Sequence, residues 1–228
     1  DRENANPNNE NIENTLPNVT TGASIKATGK LIPSPASGQA VEVALETLEV
    51  LGVSPSDYPL QKKGHTVEFL RENSHLRART NMFGAVARMR SEMAFAVHSF
   101  FQEKGFFYFN APLITCSDCE GAGEMFQVTT LGLERVNGKP DYSKDFFGKM
   151  AKLTVSGQLE AETFALAYKK TYTFGPTFRA ENSNTKTHAN EFWMIEPEMA
   201  FTDLNGDMDV MEDMLKYVVQ YVLDNASL

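Results

Sequence analysis

The feature that most restricts the fold is a pair of strand-like runs, Tyr172 to Glu181 and Glu191 to Phe201, separated by the polar stretch Asn182 to Asn190. Two such runs flanking a polar segment predict an antiparallel hairpin with a long loop. Strand period two sorts the second run. Phe192, Met194, Glu196, Glu198 and Ala200 fall on one face, and Trp193, Ile195, Pro197, Met199 and Phe201 on the other, which is expected to be core. The first face sets two carboxylates beside an aromatic ring, and an antiparallel partner brings Arg179 and Glu181 to the same side. Buried charges at that density are costly unless paired or occupied by a ligand. A site for a polar, zwitterionic or phosphorylated ligand therefore explains them better than a core does, and better than a surface ladder of solvated charges. Phe192 offers a stacking surface, and Lys186 and His188 in the loop offer phosphate contacts.

The rest of the chain frames this hairpin. Residues 1 to about 20 are rich in Asn and Glu with no apolar period, and are expected to be a loop or disordered arm. Ile25 to Ile32 and Val41 to Leu45, joined by a Pro/Gly turn, read as two strands of a small β domain, with linker composition from Val53 to Pro59. The expected domains are thus 1–57 and 58–228. Between Asn81 and Lys104, Met82, Val86, Met89, Met93, Val97 and Phe100 recur at helical steps. Gly105 then stops the helix, and Phe106 to Ile114 reads as extended, Pro112 favouring a sheet edge. A short strand over Lys152 to Val155, a Ser156-Gly157 turn, a helix over Gln158 to Tyr168 and a last helix over Asp207 to Asn225 complete an α+β order.

Composition narrows the field. With 228 residues, 42% apolar and 11% aromatic, the chain can bury a core. Its apolar runs stop well short of the ~20 residues of a membrane span, and the N-terminus has no apolar signal core, so no membrane association and a cytoplasmic location are expected. Cys116 and Cys119 have C-x-x-C spacing, but His65, His75, His98 and His188 are scattered singly, so no second ligand pair suggests zinc and two reduced thiols are expected. A net charge of -9 speaks against a nucleic-acid partner, although Lys62, Lys63, Arg71, Arg77, Arg79, Arg88 and Arg90 gather enough for a basic strip.

Phe178-Arg179-Ala180-Glu181, the loop with His188, and Glu191-Phe192 resemble motif 2 of the class II aminoacyl-tRNA synthetases. Gly105-Phe106 through Ala111-Pro112-Leu113-Ile114, with the preceding helix, resembles motif 1. Asp118 to Phe126 and Leu153 to Leu159 resemble segments of the aspartate/asparagine/lysine subgroup. The likeness covers roughly Thr20 to Asp224. It implies an antiparallel catalytic sheet flanked by helices, preceded by a partial OB-like anticodon-binding domain. One position speaks to the amino acid. Aspartyl members carry a lysine three residues after the glutamine of the S-x-Q-L segment, where this chain has Ala161. Without that cation an aspartate side chain loses its charge partner, whereas an amide loses far less. Glu196, an acceptor only, suits an asparagine NH₂.

The resemblance implies ATP-dependent activation of asparagine and its ligation to tRNA(Asn). It implies that Arg179 bridges the amino-acid carboxylate and the α-phosphate, Glu181 accepts from the adenine amino group, Phe192 stacks on the ring, and His188 reaches the distal phosphates. Glu120, Gln158, Glu196 and Glu198 would hold the amino acid, with Mg²⁺ on the phosphates and a homodimer through motif 1. Nothing resembling the glycine-rich motif 3 follows, and the first OB strands are missing. This chain by itself is therefore expected to activate no amino acid. Competing readings are an aspartyl enzyme, a synthetase-like asparagine synthetase, and a non-catalytic paralogue that binds RNA or protein.

Overall fold

The computed structural model describes residues 9–225 other than 120, 122, 133–137, 139, 184 and 186. The chain divides into two compact units, Asp1–Ala87 and Arg88–Leu228. The division falls within a helix, downstream of the Val53 to Pro59 stretch where the sequence suggests a boundary. Leu60 and Leu70, beyond that stretch, are buried residues of the first unit, as is Leu48.

In the first unit, β1 (Ser24–Pro33) and β2 (Val41–Gly52) form a two-stranded antiparallel sheet running from Ser24↔Gly52 to Pro33↔Val41, with a register shift at Thr28/Gly29. The hairpin is as expected but longer. The arm differs from expectation: α1 (Asn9–Thr15) and a 3-10 turn (Leu16–Asn18) precede the sheet. A polar helix this short does not hold by itself. It packs on β2, with Ile12 and Thr15, three residues apart, half-buried. A short helix, α2 (Val67–Glu72), starts at Thr66, whose hydroxyl accepts from Phe69 N.

The second unit is built on the C-terminal part of α3 (Asn81–Glu103). The anticipated stripe splits: Val97 and Phe100 are buried together with Ala96 and Phe101, while Met82, Val86 and Met93 remain largely exposed. Only the later turns of α3 meet the core of this unit, which also contains Phe106, Tyr172 and Val218. Tyr172 is fully buried, stacks on Phe101 at 4.6 Å, and has its hydroxyl against His98 Nδ1 at 2.9 Å and Gln102 Nε2 at 3.4 Å. The polar tip is satisfied while the ring fills the core. Gly105, at φ 78°, ends α3, with Phe106 N donating to Phe101 O at 2.9 Å.

The central sheet has the order β3 (Phe107–Tyr108), β7 (Lys170–Phe178), β8 (Glu191–Met199). β3 runs parallel to β7, and β7 pairs antiparallel with β8 in a register that sets Thr173 opposite Glu196 and Thr177 opposite Phe192. The expected extended segment Phe106 to Ile114 is broken around Pro112. β3 lies at the edge of this sheet, whereas β4 (Ile114–Thr115) joins a second one, in which β4 and β5 (Gln127–Val128) flank β6 (Ala151–Leu153). α5 (Leu204–Asn225) starts earlier than expected because Asp203 caps it, its Oδ1 accepting from Gly206 N at 3.0 Å.

The face of β8 assigned to the core needs correction. Ile195 and Met199 do pack on the core cluster, but Trp193 is 51% exposed and Phe201 98% exposed. The strand ends at Met199, so the alternation does not extend to Phe201, which sits in the following turn at φ 63°. Trp193 lies at the other end of the strand, edge-on to Phe174 at 5.1 Å. Val218 belongs to the core beneath this face, with Val210, Met214, Tyr217 and Tyr221 of α5 packed against it. α4 (Gln158–Tyr168) packs on β7 and β8, where Thr171 Oγ1 donates to Ala161 O at 3.1 Å. No helix among the described residues is long and apolar enough to cross a membrane.

Candidate active site

The site grows out of alternation on β7. Thr171, Thr173 and Thr177 share one face, and all three are buried. Each hydroxyl has an acceptor: Ala161 O for Thr171, Glu196 Oε1 for Thr173, and Phe192 O for Thr177, all at 3.1 Å. β-branched residues suit the strand, and their hydroxyls fasten a helix, a carboxylate and the neighbouring strand to it.

Among the described residues, three donors reach Glu196. Gly157 N and Thr173 Oγ1 both reach its Oε1 at 3.1 Å, and Ser156 Oγ donates to its Oε2. Gly157 is the N-cap of α4 and provides no side-chain cap. The Glu196 carboxylate, projecting from β8, fills that place, where the positive end of the helix dipole favours an anion. A Cβ on Gly157 would stand 3.0 Å from Thr173 Cγ2 and 3.1 Å from Ala111 Cβ, so this close approach depends on glycine.

Arg179 follows directly on β7. Its N donates to Asn190 O at 3.0 Å and its O accepts from Asn190 Nδ2 at 2.7 Å, closing the base of the loop between the strands. Its guanidinium lies over the Phe192 ring at 5.4 Å, and its Nε is buried with no hydrogen-bond partner among the described residues. Glu181 is near. A Cβ on Gly123 would collide with Glu181 Oε1 and come within 3.6 Å of Arg179 Cδ, which places Gly123 against both side chains.

Arg179, Glu196, Glu198 and Gln158 line one cavity of about 560 Å³, together with Cys119, Ser156, Met194, Asp203 and Asp207. Gln158 Nε2 donates to Glu162 Oε1 at 3.0 Å, and its Oε1 accepts from the buried Cys119 thiol at 3.7 Å. The wall therefore combines one guanidinium with several carboxylates, a pattern that receives an anionic and a cationic group in the same ligand. Burial pushes the Glu198 carboxyl up to about 7, with Glu162, Glu196 and Asp207 adding repulsion. A carboxyl whose folded pKa lies above its unfolded value of 4.5 contributes stability below that value and loses it as pH rises through the folded one. The full-length protein without ligand is thus expected to lose melting temperature between about pH 5 and pH 8, and Glu198→Gln to flatten that decline. Melting curves at closely spaced pH check this; an unchanged slope in the variant contradicts it.

A profile of the tRNA synthetases class II (D, K and N) matches residues 66–228. The chain belongs to this family. It is 61% identical over 218 residues to the asparagine--tRNA ligase of Cytophaga hutchinsonii, covering 93% of this chain and 47% of that one. It is likewise 61% identical over 217 residues to the asparagine--tRNA ligase of Phocaeicola vulgatus, covering 93% and 46%. The chain therefore spans about half the length of these curated relatives. The crystal structure of asparaginyl-tRNA synthetase from Pyrococcus horikoshii complexed with asparaginyl-adenylate matches the fold with a TM-score of 0.76 at 27% identity, over 90% of this chain and 44% of that one.

In this class II synthetase chain the anticipated residues separate into groups. Arg179, Gln158, Glu196 and Glu198 share the cavity, and Phe192 and Glu181 stand beside Arg179. His188 does not join them: it lies in the exposed loop, hydrogen-bonded to Thr185 Oγ1, and does not line the cavity. Glu120 and Lys186 lie outside the described residues. Ala161, in the first turns of α4, is fully buried. Sequence reasoning did not single out Ser156, Thr173, Asp203 or Asp207. The period-two threonines of β7 were a usable signal for Thr173; the others depend on tertiary approach.

Proposed function

We propose that the full-length polypeptide activates asparagine with ATP and ligates it to tRNA(Asn). A carboxylate oxygen of asparagine attacks the α-phosphorus, pyrophosphate leaves, and a ribose hydroxyl of the tRNA terminus then displaces AMP from the acyl carbon. No protein nucleophile is needed; the protein must hold two anions in line and neutralise the charge that develops. Arg179 supplies that charge from the cavity wall, and its Nε has no hydrogen-bond partner among the described residues. Phe192 stacks beneath the adenine and Glu181 accepts from its amino group. His188 reaches the distal phosphates. Gln158 and Glu120 orient the amino acid, with Glu120 near its ammonium, and Glu198 contributes to the same subsite.

The observation that carries this reading is the arrangement of Glu196 and Arg179 in one cavity, with the neutral Ala161 where aspartyl members have a lysine. A carboxylate acceptor with no lysine among the described residues lining the cavity favours an amide side chain over a carboxylate. No three His, Cys, Asp or Glu side chains among the described residues gather as a metal site. Mg²⁺ belongs with the ATP phosphates, supplying charge neutralisation there, and none of the roles above depends on it. The reading extends to a cytoplasmic homodimer joined through α3 and β3, and to residues 1–57 as part of an OB-fold that binds the anticodon.

The test is amino-acid-dependent ATP–pyrophosphate exchange by the full-length protein, with asparagine and aspartate compared side by side. Exchange with asparagine alone is expected. Exchange with aspartate alone would make it an aspartyl enzyme, free asparagine formed from aspartate and ammonia would make it an asparagine synthetase, and no exchange at all would leave a non-catalytic binding protein.

A further inference from the structure

We infer that Thr173 and Ser156 are positioning residues that aim the Glu196 carboxylate at the amide of the amino acid, and so set the preference for asparagine over aspartate. The inference rests on the function proposed above and assigns part of its selectivity to two side chains that need not touch the substrate. Three observations support it. Thr173 is directly opposite Glu196 in the β7–β8 register, so its hydroxyl meets the carboxylate through the sheet pairing itself. Ser156 donates to the other oxygen while its own Oγ accepts from Gln158 N at 3.1 Å, which ties the carboxylate to the first turn of α4. Both residues are buried; Thr173 does not line the cavity that Glu196 shares with Arg179, and Ser156 contributes only a nearly covered edge to its wall. A glutamate has three rotatable side-chain bonds. Donors on both oxygens leave it one orientation, and the ordering is complete before any ligand arrives.

A purely structural reading of the same contacts would make Glu196 only a tertiary cap for α4. The two readings diverge on what changes when Thr173 loses its hydroxyl. If Glu196 is only a cap, Thr173→Val weakens the helix start, lowers the melting temperature, and alters the use of ATP and asparagine together. If Thr173 positions Glu196 for recognition, the loss concentrates on the amino acid.

The experiment compares full-length wild type, Thr173→Val, Thr173→Ser and Ser156→Ala in pyrophosphate exchange. Asparagine, aspartate and ATP are varied separately, and melting temperatures are recorded. Thr173→Val keeps the β-branched shape and removes only the donor. It is expected to raise KM for asparagine roughly 10- to 100-fold, the usual range for deleting one hydrogen bond to a charged group. KM for ATP should stay within about 3-fold, and the ratio of asparagine to aspartate use should fall. Thr173→Ser restores the donor and is expected to recover most of the loss, and Ser156→Ala should repeat the pattern of Thr173→Val. Parallel changes in KM for ATP and asparagine, or a Thr173→Ser variant no better than Thr173→Val, would overturn the inference. Wild type that exchanges no pyrophosphate with asparagine would instead refute the proposed function, so the two failures are distinguishable.

Discussion

Replacing Arg179 by alanine in the full-length protein is expected to lower kcat/KM for asparagine-dependent pyrophosphate exchange by about 10³-fold or more, the upper part of the range for removing a preorganised charge-stabilising donor. Several features make the effect large. Arg179 is the cation among the residues lining a cavity otherwise rich in carboxylates, so nothing else there offsets the charge that builds on the α-phosphate. Its guanidinium is held over Phe192, and its backbone is clamped by Asn190 on both N and O, so its geometry is fixed in advance. Arg179→Lys retains charge but loses the planar fork and the stacking, and should recover only a small part of the activity. Steady-state exchange kinetics, with folding checked by melting temperature, decide the matter. An alanine variant within about tenfold of wild type would remove Arg179 from the chemistry.

The second large effect is expected at Glu196, and there it is a change of preference. In Glu196→Gln, Oε1 can still accept from Gly157 N and Thr173, and the Ser156 hydroxyl can turn to accept from the new NH₂. The fold should therefore tolerate the substitution. At the Oε2 position, however, a donor replaces an acceptor and opposes the NH₂ of asparagine. Asparagine use should fall by about 10²- to 10⁴-fold, as when a site built to hydrogen-bond one group is left unmatched. Aspartate, whose carboxylate can accept from that donor, should rise relative to asparagine. Competition between the two amino acids in the exchange assay measures the ratio directly; an unchanged ratio would mean that Glu196 does not read the side chain.

How far the sequence could disclose this site depends on which forces act locally. The β7–β8 hairpin and α4 were legible because period two and helical spacing report on burial against a nearby face. α1 was not, since a polar helix so short exists only by docking on β2. Along α3 the apolar spacing was read correctly, but which turns meet the core was not, because sequence spacing says nothing about where the neighbouring element ends. Trp193 failed for a similar reason, since alternation gives a side and only the packed elements decide how much of it is covered, whereas Phe201 lies beyond the end of the strand. At the site, Phe192, Glu196 and Glu198 were read from one strand face, and Arg179 from its antiparallel partner. The link from Glu196 to Ser156 and Thr173 did not. It requires the exact pairing Thr173↔Glu196 and the approach of the α4 start, which no short window contains. His188 illustrates the opposite limit, since its place in the loop sequence does not tell that it is exposed and off the cavity wall.

The three donors on Glu196 have a consequence for which molecules can be admitted. An ionised carboxylate offers about four lone-pair positions, and Gly157, Thr173 and Ser156 occupy three of them. Among the described residues, Oε2 takes one donor where Oε1 takes two. A side-chain amide has two hydrogens, and this oxygen has room to greet one, so its partner hydrogen must be met by another group or by water. Glu196 by itself would therefore accept an N-alkylated amide turned the right way round, and any refusal of such analogues has to come from the walls of the cavity.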